Sequence, residues 1–233
     1  MTPPVNDPET LRRILANTEA LLLDFDGPIC SVFAGVPASV VADQLRGVLA
    51  EGGYGDLPRD VRTADDPFDV LFYAAKLGQE EARYVEAAFR AHEVEAVQSA
   101  EPTPHTAELV HTWKATGRRL AVVSNNSSAA VETYLDIRDL RADVDLISAR
   151  TCSDTALLKP NPFLVIDAAN RLAAPVSRCT LVGDSITDIE SAQAAQATAI
   201  GYANKPGKAD RLAAAGAAVV ITDTGALIAA QTS

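Results

Sequence analysis

Two aspartates, one residue apart, follow a short apolar run near the start of the chain. They are Asp24 and Asp26 in the stretch LLLDFDGPIC, residues 21–30, with Gly27 directly after them. Aspartate and glycine are common turn residues, so the stretch alone could simply open a turn. If the apolar run is a strand of a parallel sheet, its carboxyl end instead delivers both carboxylates to the crevice where such sheets bind ligands. The other polar residues of the chain decide between these interpretations.

Three later stretches also place polar residues after apolar runs. Ser124 and Asn125 end RLAVVSN, Lys159 lies in LLKPNP, and Asp184 and Asp188 lie in LVGDSITDIE. Each has an ordinary explanation on its own, such as helix capping or a solvated loop charge. Their joint occurrence favours a functional site, because the carboxyl ends of parallel strands share one edge of the sheet.

Together these side chains can carry out phosphoryl transfer. Asp24 is placed to act as a nucleophile through an acyl phosphate, and Asp26 can serve as general acid and base. Several carboxylates at one edge raise one another's pKa values unless a cation neutralises them. All-oxygen ligands at a phosphate site favour Mg²⁺ as that cation. The candidate metal ligands are Asp24, Asp26, Asp184 and Asp188.

The same edge also offers groups for binding a phosphate. Lys159 supplies a fixed positive charge that could hold Asp24 ionised and bind a phosphate oxygen. The Ser124 hydroxyl precedes a predicted helix N-terminus, whose backbone N–H groups suit an anion. The catalytic candidates are therefore Asp24, Asp26, Ser124 and Lys159, and the candidates for substrate binding are Gly27, Ser124, Asn125 and Lys159.

The positions of these residues depend on alternating strands and helices. Short apolar runs predict buried strands of a parallel sheet at residues 19–25, 119–125, 144–149, 179–184, 197–202 and 217–222. Helical patterns lie between them at about 104–116, 127–137, 161–173, 185–195 and 206–215. Repeated strand and helix units predict a doubly wound α/β fold. Thr103 is expected to cap the first of these helices, with Pro104 as its opening residue.

The interval from Ile29 to about Glu101 contains no such strand run and predicts three helices. The first presents Val41, Leu45, Val48 and Leu49, the second Phe68, Leu71, Phe72 and Ala75, and the third Ala82, Val85, Phe89 and Ala96. Asp65 or Asp66 is expected to cap the second, with Pro67 at its first position. We therefore expect a Rossmann-like core domain, residues 1–28 and 102–233, with a small inserted α-helical cap domain, residues 29–101.

Composition narrows the possible partners. The chain has 233 residues and a formal net charge of −11, so its average field repels nucleic acid and anionic membrane surfaces. No run of about eighteen apolar residues is present, and the start of the chain lacks the pattern of a signal peptide. We therefore expect a cytoplasmic protein, as a monomer or a small homo-oligomer. Cys30, Cys152 and Cys179 are widely spaced and are expected to be reduced thiols, mostly buried.

The four polar stretches resemble the motifs of the haloacid dehalogenase-like hydrolase superfamily. They correspond to DFDG (24–27), Ser124 in VVSN, Lys159 in LKP and GDSITD (183–188). The helical insertion is similar to that of the branch containing phosphoglycolate phosphatase and β-phosphoglucomutase. The resemblance spans essentially the whole chain.

The resemblance implies a role for each motif residue. Asp24 would be the nucleophile, Asp26 the general acid and base, and Asp184 a Mg²⁺ ligand. Ser124 and Lys159 would stabilise the phosphate and the intermediate, and Asp188 would be a neighbouring carboxylate. Dehalogenases of this superfamily lack the second aspartate of the first motif, so Asp26 favours phosphate chemistry. Pro28 stands where relatives usually carry Thr or Val, and it is expected to stiffen the loop that leads to the insertion.

The expected function is that of a Mg²⁺-dependent phosphatase acting on a small phosphorylated metabolite. A phosphomutase would share all four motifs, and nothing in the insertion decides between the two activities. A third possibility is a signalling module in which Asp24 is only phosphorylated, but the insertion and Asp26 argue against it. The cationic residues of the insertion are candidates for contacting the organic part of the substrate, although solvated surface charges are the simpler interpretation: Arg46, Arg59, Arg62 and Lys76.

Overall fold

A six-stranded parallel β-sheet forms the centre of the protein in the computed structural model, which describes residues 5–231. The strands are β1 (Ala20–Leu23), β2 (Cys30–Ser31), β3 (Glu101–Pro102), β4 (Arg119–Ser127), β5 (Leu146–Arg150), β6 (Cys179–Gly183), β7 (Thr198–Tyr202) and β8 (Val219–Ile221). The order in the large sheet is β5–β4–β1–β6–β7–β8, with every neighbouring pair parallel. All six predicted strands and the doubly wound α/β fold are therefore confirmed.

Helices cover both faces of this sheet. They are α1 (Pro8–Ala16), α2 (Ala38–Glu51), α3 (Arg59–Arg62), α4 (Pro67–Leu77), α5 (Gln79–Ala96), α6 (Thr106–Ala115), α7 (Ser128–Ile137), α8 (Phe163–Arg171), α9 (Ile186–Ala195), α10 (Lys208–Ala214) and α11 (Gly225–Gln231). The five helices predicted between the strands are present, and α1 and α11 lie outside the predicted set and pack against each other. None of the helices among residues 5–231 combines the length and apolar character needed to cross a membrane.

The position of β1 inside the sheet explains why its sequence is continuously apolar. All four of its residues are buried, and alternate side chains enter the two cores on opposite faces of the sheet. Ala20 and Leu22 belong to the core that also contains residues of α8, α9 and α10, whereas Leu21 and Leu23 belong to the core that contains residues of α1, α6, α7 and α11. A strand that is buried on both faces has no polar positions until it ends. The first polar side chain after β1 is Asp24, at the carboxyl edge of the sheet.

The winding of the sheet opens a crevice at this edge. From β1 the chain moves outward through β4 and β5, then returns to the other side of β1 through β6, β7 and β8. Leu23 pairs with Val122 of β4 and Val182 of β6, so both neighbouring strands continue alongside Asp24. Sheets of this kind bind ligands where the strand order reverses. The sequence after β1 and β6 therefore lies at the place where a site is expected.

The insertion contains four helices rather than the three predicted. The additional one, α3, is a single turn that follows Pro58. Asp66 caps α4 by accepting a hydrogen bond from the Phe68 backbone N–H at 2.9 Å, and Pro67 is the first helical residue, as predicted. The predicted division at residues 28–29 and 101–102 into two domains stays a prediction.

The predicted buried face of α4 is wrong in part. Its fully buried residues include Val70, Leu71 and Ala74, whereas Phe68 and Phe72 are only half-buried. Both rings line a cavity between α4 and the carboxyl edge of the sheet. Periodicity alone does not distinguish an apolar stripe facing a core from one that faces a cavity.

The two connections between insertion and sheet form a short antiparallel pair, β2 with β3. The predicted start of this helix, with Thr103 as its cap and Pro104 as its opening residue, is wrong, because α6 begins at Thr106 after His105, which adopts a left-handed conformation with φ of 63°. The Thr103 hydroxyl instead donates to the Gly27 carbonyl at 2.5 Å, and the Thr106 hydroxyl donates to the Pro28 carbonyl at 2.7 Å. The returning chain therefore fastens the loop that follows Asp26.

Candidate active site

Lys159 lies at the centre of the polar cluster and is almost inaccessible to solvent. Its Nζ donates to Asp24 Oδ1 at 2.8 Å, to Asp188 Oδ1 at 2.5 Å and to the Val123 carbonyl at 3.1 Å. Burial opposes its charged form, but the two carboxylates outweigh this effect and raise the pKa of Lys159 above its ordinary value. Lys159 is therefore a permanent positive charge beneath the sheet edge.

Asp24 is buried beside Lys159, with 10% of its side chain exposed. The pKa of Asp24 is raised to about 8, mainly by burial and also by the Asp188 carboxylate, while Lys159 acts in the opposite direction. The backbone N–H of Asp24 donates to the Val182 carbonyl at 2.9 Å, which fixes the residue against the end of β6. The main chain therefore holds a carboxyl that needs further positive charge to stay ionised at neutral pH.

Asp26 lies in the same cavity but has a separate set of contacts. Its Oδ1 accepts the backbone N–H of Val32 at 3.0 Å. The pKa of Asp26 is raised to about 6, mainly by burial, with the Asp184 carboxylate contributing to the rise and the Val32 hydrogen bond opposing it. The structure does not bring the Asp26 side chain into the group of carboxylates that could share a metal ion.

Ser124 and Asn125 lie within β4 near its carboxyl end, at the predicted sheet edge, and the pairing of β4 with β5 shifts register after Ser124. Ser124 is fully buried, and its hydroxyl donates to Asn126 Oδ1 at 3.2 Å. The Asn125 side chain donates through Nδ2 to the Lys159 carbonyl at 3.1 Å, and its Oδ1 accepts the Lys159 backbone N–H at 2.8 Å. Asn125 lines the cavity as expected of a substrate-binding residue, but both ends of its amide hold the backbone of Lys159.

Asp184 has two partners that the sequence analysis does not assign to the site. It accepts hydrogen bonds from Asn204 Nδ2 at 3.1 Å and from Lys208 Nζ. Both partners belong to NKPGK, residues 204–208, which follows β7. The position of this segment after a parallel strand is the signal that could have identified it, because β7 ends at the same sheet edge as β1 and β6.

Asp188 is fixed by the first turn of α9. Its Oδ2 accepts the Ser185 backbone N–H at 3.0 Å and the Ser185 hydroxyl at 2.6 Å, and the Asp188 backbone N–H donates back to that hydroxyl at 3.1 Å. This reciprocal pair is a capping box. Because Oδ1 accepts from Lys159, both oxygens of Asp188 already have protein partners.

Two glycines make room for the carboxylates. A Cβ atom on Gly27 would lie 2.5 Å from Asp184 Cγ, and Gly27 has a left-handed φ of 117°. A Cβ atom on Gly183 would lie 2.3 Å from Asp188 Cβ. Gly27, predicted to bind substrate, therefore allows Asp184 to approach the loop after β1.

The donor set fits a hard divalent cation. One carboxylate oxygen from each of Asp24, Asp184 and Asp188 lies within 4.8 Å of the others. With Asp26 included, four carboxylates face two ammonium groups, those of Lys159 and Lys208, so two negative charges are uncompensated when all are ionised. Oxygen ligands with an excess negative charge suit Mg²⁺ or Ca²⁺.

A cavity of about 490 Å³ lies between this edge and the insertion. The sheet side contributes Ser124, Lys159 and three carboxylates, those of Asp24, Asp26 and Asp184. Helix α4 and the segment before it contribute Asp65, Asp66, Phe68 and Phe72. The four cationic candidates of the insertion do not line it. Arg46, for example, donates to the carbonyls of Val61 and Ala64 at 3.1 and 2.8 Å.

This combination of a doubly wound sheet, a carboxylate cluster at its switch point and a helical insertion defines a class of α/β hydrolase. A family model described as "Hydrolase: haloacid dehalogenase-like hydrolase" matches residues 18–196. The chain therefore belongs to the haloacid dehalogenase-like hydrolase family.

Individual relatives agree with this assignment. A haloacid dehalogenase-like hydrolase domain-containing protein of Arabidopsis thaliana is 33% identical over 98 residues, which span 40% of this chain and 30% of the plant protein. A crystal structure of a HAD family hydrolase from Deinococcus radiodurans, with bound phosphate and sodium, is 25% identical at a TM-score of 0.63 and covers 93% of this chain and 96% of its own. A predicted phosphoglycolate phosphatase from Haemophilus somnus is 19% identical at a TM-score of 0.65, covering 93% of this chain and 99% of its own, and shows the shared fold.

The close approach at Gly183 gives a first prediction. Gly183→Ala should lower the free energy of unfolding by about 1–3 kcal/mol, because the new methyl group must displace Asp188 from the turn that it caps. Gly55→Ala is the matched control, since a Cβ atom there meets nothing within 4 Å, and it should stay within about 0.5 kcal/mol of the parent. Urea unfolding measures both variants, and equal stabilities would contradict the packing described for Gly183.

Proposed function

We propose that this protein is a Mg²⁺-dependent phosphatase that hydrolyses a small phosphorylated metabolite through a phosphoaspartyl intermediate. The observation that carries the proposal is the buried arrangement of Asp24 against Lys159 and Asp188, open to a cavity that also contains Asp26 and Ser124. Membership of a hydrolase family and the phosphate bound to the Deinococcus radiodurans relative support it.

Asp24 and Asp184 are the residues that would hold the metal ion. Asp188 has protein partners on both oxygens, so its part is to orient Lys159 and the start of α9. We do not assign the Asp26 side chain as a ligand, because it lies outside the carboxylate group and accepts from Val32. Bound Mg²⁺ would supply the positive charge that lowers the pKa of Asp24 and offsets the charge of a phosphate.

The two aspartates of the first motif would act in sequence. An oxygen of the Asp24 carboxylate attacks phosphorus, the bond to the ester oxygen breaks, and protonated Asp26 gives its proton to the departing alkoxide. Asp26 then takes a proton from a water molecule that attacks the phosphorus of the acyl phosphate, and inorganic phosphate leaves with Asp24 restored. A pKa of about 6 suits Asp26 to both steps near neutral pH.

Lys159 and Ser124 would bind the transferred phosphoryl group. The Lys159 ammonium donates to two carboxylates and a carbonyl, which use all three of its hydrogens. Its fixed positive charge would stabilise charge on the phosphate oxygens, and a direct bond to phosphate would replace one of these three hydrogen bonds. The Ser124 hydroxyl lies in the same cavity at the end of the ladder of β4. Asn125 contributes by holding the backbone of Lys159 rather than by contacting phosphate.

The charge of the cavity limits which organic groups the substrate can carry. Lys159 is the only cationic residue among the described residues that line it, and its ammonium is already paired. Across from the sheet edge, the insertion offers Asp65 and Asp66 beside the rings of Phe68 and Phe72. Carboxylates there repel an organic acid and favour a neutral or cationic group that can also contact the aromatic rings.

The roles of the two aspartates can be separated with an aryl phosphate, whose leaving group needs little protonation. Asp24→Asn should abolish formation of the phosphoenzyme. Asp26→Asn should lower turnover by about 10²–10⁴ while leaving the nucleophile intact, so that phosphorylated Asp24 accumulates. Acid quench followed by intact-protein mass spectrometry and peptide mapping detects the added phosphoryl group. Label on Asp26 or on Ser124 would overturn the mechanism.

Removal of divalent metal should abolish activity, and Mg²⁺ should restore it. Asp184→Asn should weaken Mg²⁺ binding by at least about tenfold, whereas Asp210→Asn, an exposed carboxylate outside the cavity, should leave it unchanged. Titration calorimetry with Mg²⁺ measures the affinity, and phosphate release measures the activity. Full turnover in chelator, with metal verified absent, would refute the dependence on a metal ion.

A panel of small phosphate esters tests both the reaction and the substrate class. Phosphoethanolamine, 2-hydroxyethyl phosphate and phosphoglycolate are similar in size and differ in the charge of the organic part. We expect stoichiometric release of inorganic phosphate, with kcat/KM at least about tenfold lower for phosphoglycolate. The double variant Asp65→Asn, Asp66→Asn should narrow this difference, because it removes both carboxylates and keeps a good helix cap.

Two outcomes of this panel would count against the proposal. Turnover that needs a bisphosphate primer and releases little phosphate would indicate a phosphomutase. A preference for phosphoglycolate that the double variant leaves unchanged would show that the insertion carboxylates do not set the choice of substrate.

A further inference from the structure

A buried arginine links the insertion to the sheet. Arg150 is the last residue of β5, and 1% of its side chain is exposed. Its guanidinium donates to Glu86 at 2.6 Å and to Glu93 at 2.5 Å, and both glutamates lie on α5. The guanidinium carbon also lies 4.8 Å from the centre of the Phe89 ring, on the same helix. Helix α5 is therefore attached to the core through charges that water barely reaches.

Glu93 also bonds residues near the carboxyl end of β4, beside the candidate active site. Its Oε1 accepts from Asn126 Nδ2 at 3.0 Å, and its Oε2 accepts from the Ser127 backbone N–H at 3.1 Å as well as from Arg150. A carboxylate can only accept, so it orients the Asn126 amide with Nδ2 toward Glu93 and Oδ1 toward Ser124. The Ser124 hydroxyl donates to that Oδ1 at 3.2 Å and accepts from the Asn126 backbone N–H at 3.2 Å. A continuous path thus leads from Glu93 to the Ser124 hydroxyl.

Arg150 provides a second branch, toward Lys159. Its Nε donates to the Asn125 carbonyl at 3.0 Å. The Asn125 side chain in turn bonds both the backbone N–H and the carbonyl of Lys159. The Ser124 hydroxyl and the Lys159 backbone are therefore held by residues that contact α5 or are bonded to Arg150.

Attachment of a helix does not by itself require this arrangement. Burying a guanidinium and two carboxylates carries a desolvation penalty, and apolar side chains of similar volume often stabilise a protein at least as well. Charged groups supply something that apolar packing lacks, namely hydrogen bonds with a fixed direction. Here those bonds end on residues 124–127 and, through Asn125, on Lys159.

We infer that Glu93 and Arg150 are positioning residues, which align Ser124 and Lys159 for phosphate when α5 is seated on the core. The inference rests on the proposed function and goes beyond it, because it assigns a role in phosphate binding to a helix of the insertion that does not line the cavity. Glu86 lies on the same helix and pairs with the same arginine, but it has no bond to residues 124–127 in the structure. A substitution of Glu86 therefore affects the attachment of α5 without removing a bond to the residues around Ser124.

The test compares Glu93→Gln with Glu86→Gln, using inorganic phosphate as the probe in the presence of Mg²⁺. Glu93→Gln replaces one carboxylate oxygen with an NH₂ group, which would face Asn126 Nδ2 at the position of Oε1, or the Ser127 N–H and Arg150 at the position of Oε2. The substitution should therefore misalign Asn126 and Ser124. We expect the phosphate dissociation constant to rise at least about tenfold and kcat/KM to fall by about 10². Glu86→Gln should stay within about threefold of the parent on both measures. Mg²⁺ affinity should be unchanged in both variants, because neither touches Asp24 or Asp184.

Other outcomes decide the inference in different ways. Equal losses in the two variants, or phosphate binding by Glu93→Gln as tight as in the parent, would overturn it. If Glu93→Gln does not fold, Asn126→Leu cuts the path and leaves the Arg150 ion pairs in place, and it should show the same loss of phosphate affinity. A parent protein that binds phosphate but hydrolyses no ester would refute the proposed function alone, while one that binds no phosphate would overturn both.

Discussion

The arrangement of the site depends on one buried ammonium group. Lys159 contacts the side chains of Asp24 and Asp188 and the carbonyl at Val123, so one cation fixes groups from three separate parts of the chain. Without it, two nearly buried carboxylates would face each other with no compensating charge, and at least one would take up a proton. The partial charge compensation of the proposed nucleophile and the shape of the edge thus share one cause. Asn125 matters for the same reason, because it holds the backbone from which Lys159 extends.

The parallel sheet makes this concentration of charge possible. A strand buried on both faces is largely apolar, so β1 and β6 reach their charged residues only where they end. The ends of β1, β4, β6 and β7 lie side by side, and each contains or is followed by a residue or segment of the site. Opposed to them, the insertion supplies carboxylates and aromatic rings rather than cations. One cavity therefore has a side suited to metal and phosphate and another suited to an uncharged or cationic group.

The sequence predicts the sheet and most of the polar residues at its carboxyl edge, because both follow from local rules. Continuous apolar runs mark strands buried on both faces, and polar residues directly after them mark the edge. It does not predict the partners of Asp184, since Asn204 and Lys208 look like residues of an ordinary surface turn. It also misses Arg150 and Glu93, because charged residues usually mean a solvated surface. A sign was nonetheless present: Glu86 and Glu93 share one helical face with Phe89, which was predicted to be buried.

The pairing of α5 with Arg150 limits how modular the insertion can be. In the sequence the insertion reads as a separable block, yet two of its glutamates neutralise a charge that belongs to the sheet. A chimera that replaced residues 29–101 with a segment lacking those glutamates would leave a guanidinium buried without a partner. Breaking a buried ion pair in this way typically costs about 3–5 kcal/mol, a large part of the stability of an ordinary domain. Transplantation of the insertion between relatives would therefore have to treat position 150 as part of the transplanted unit.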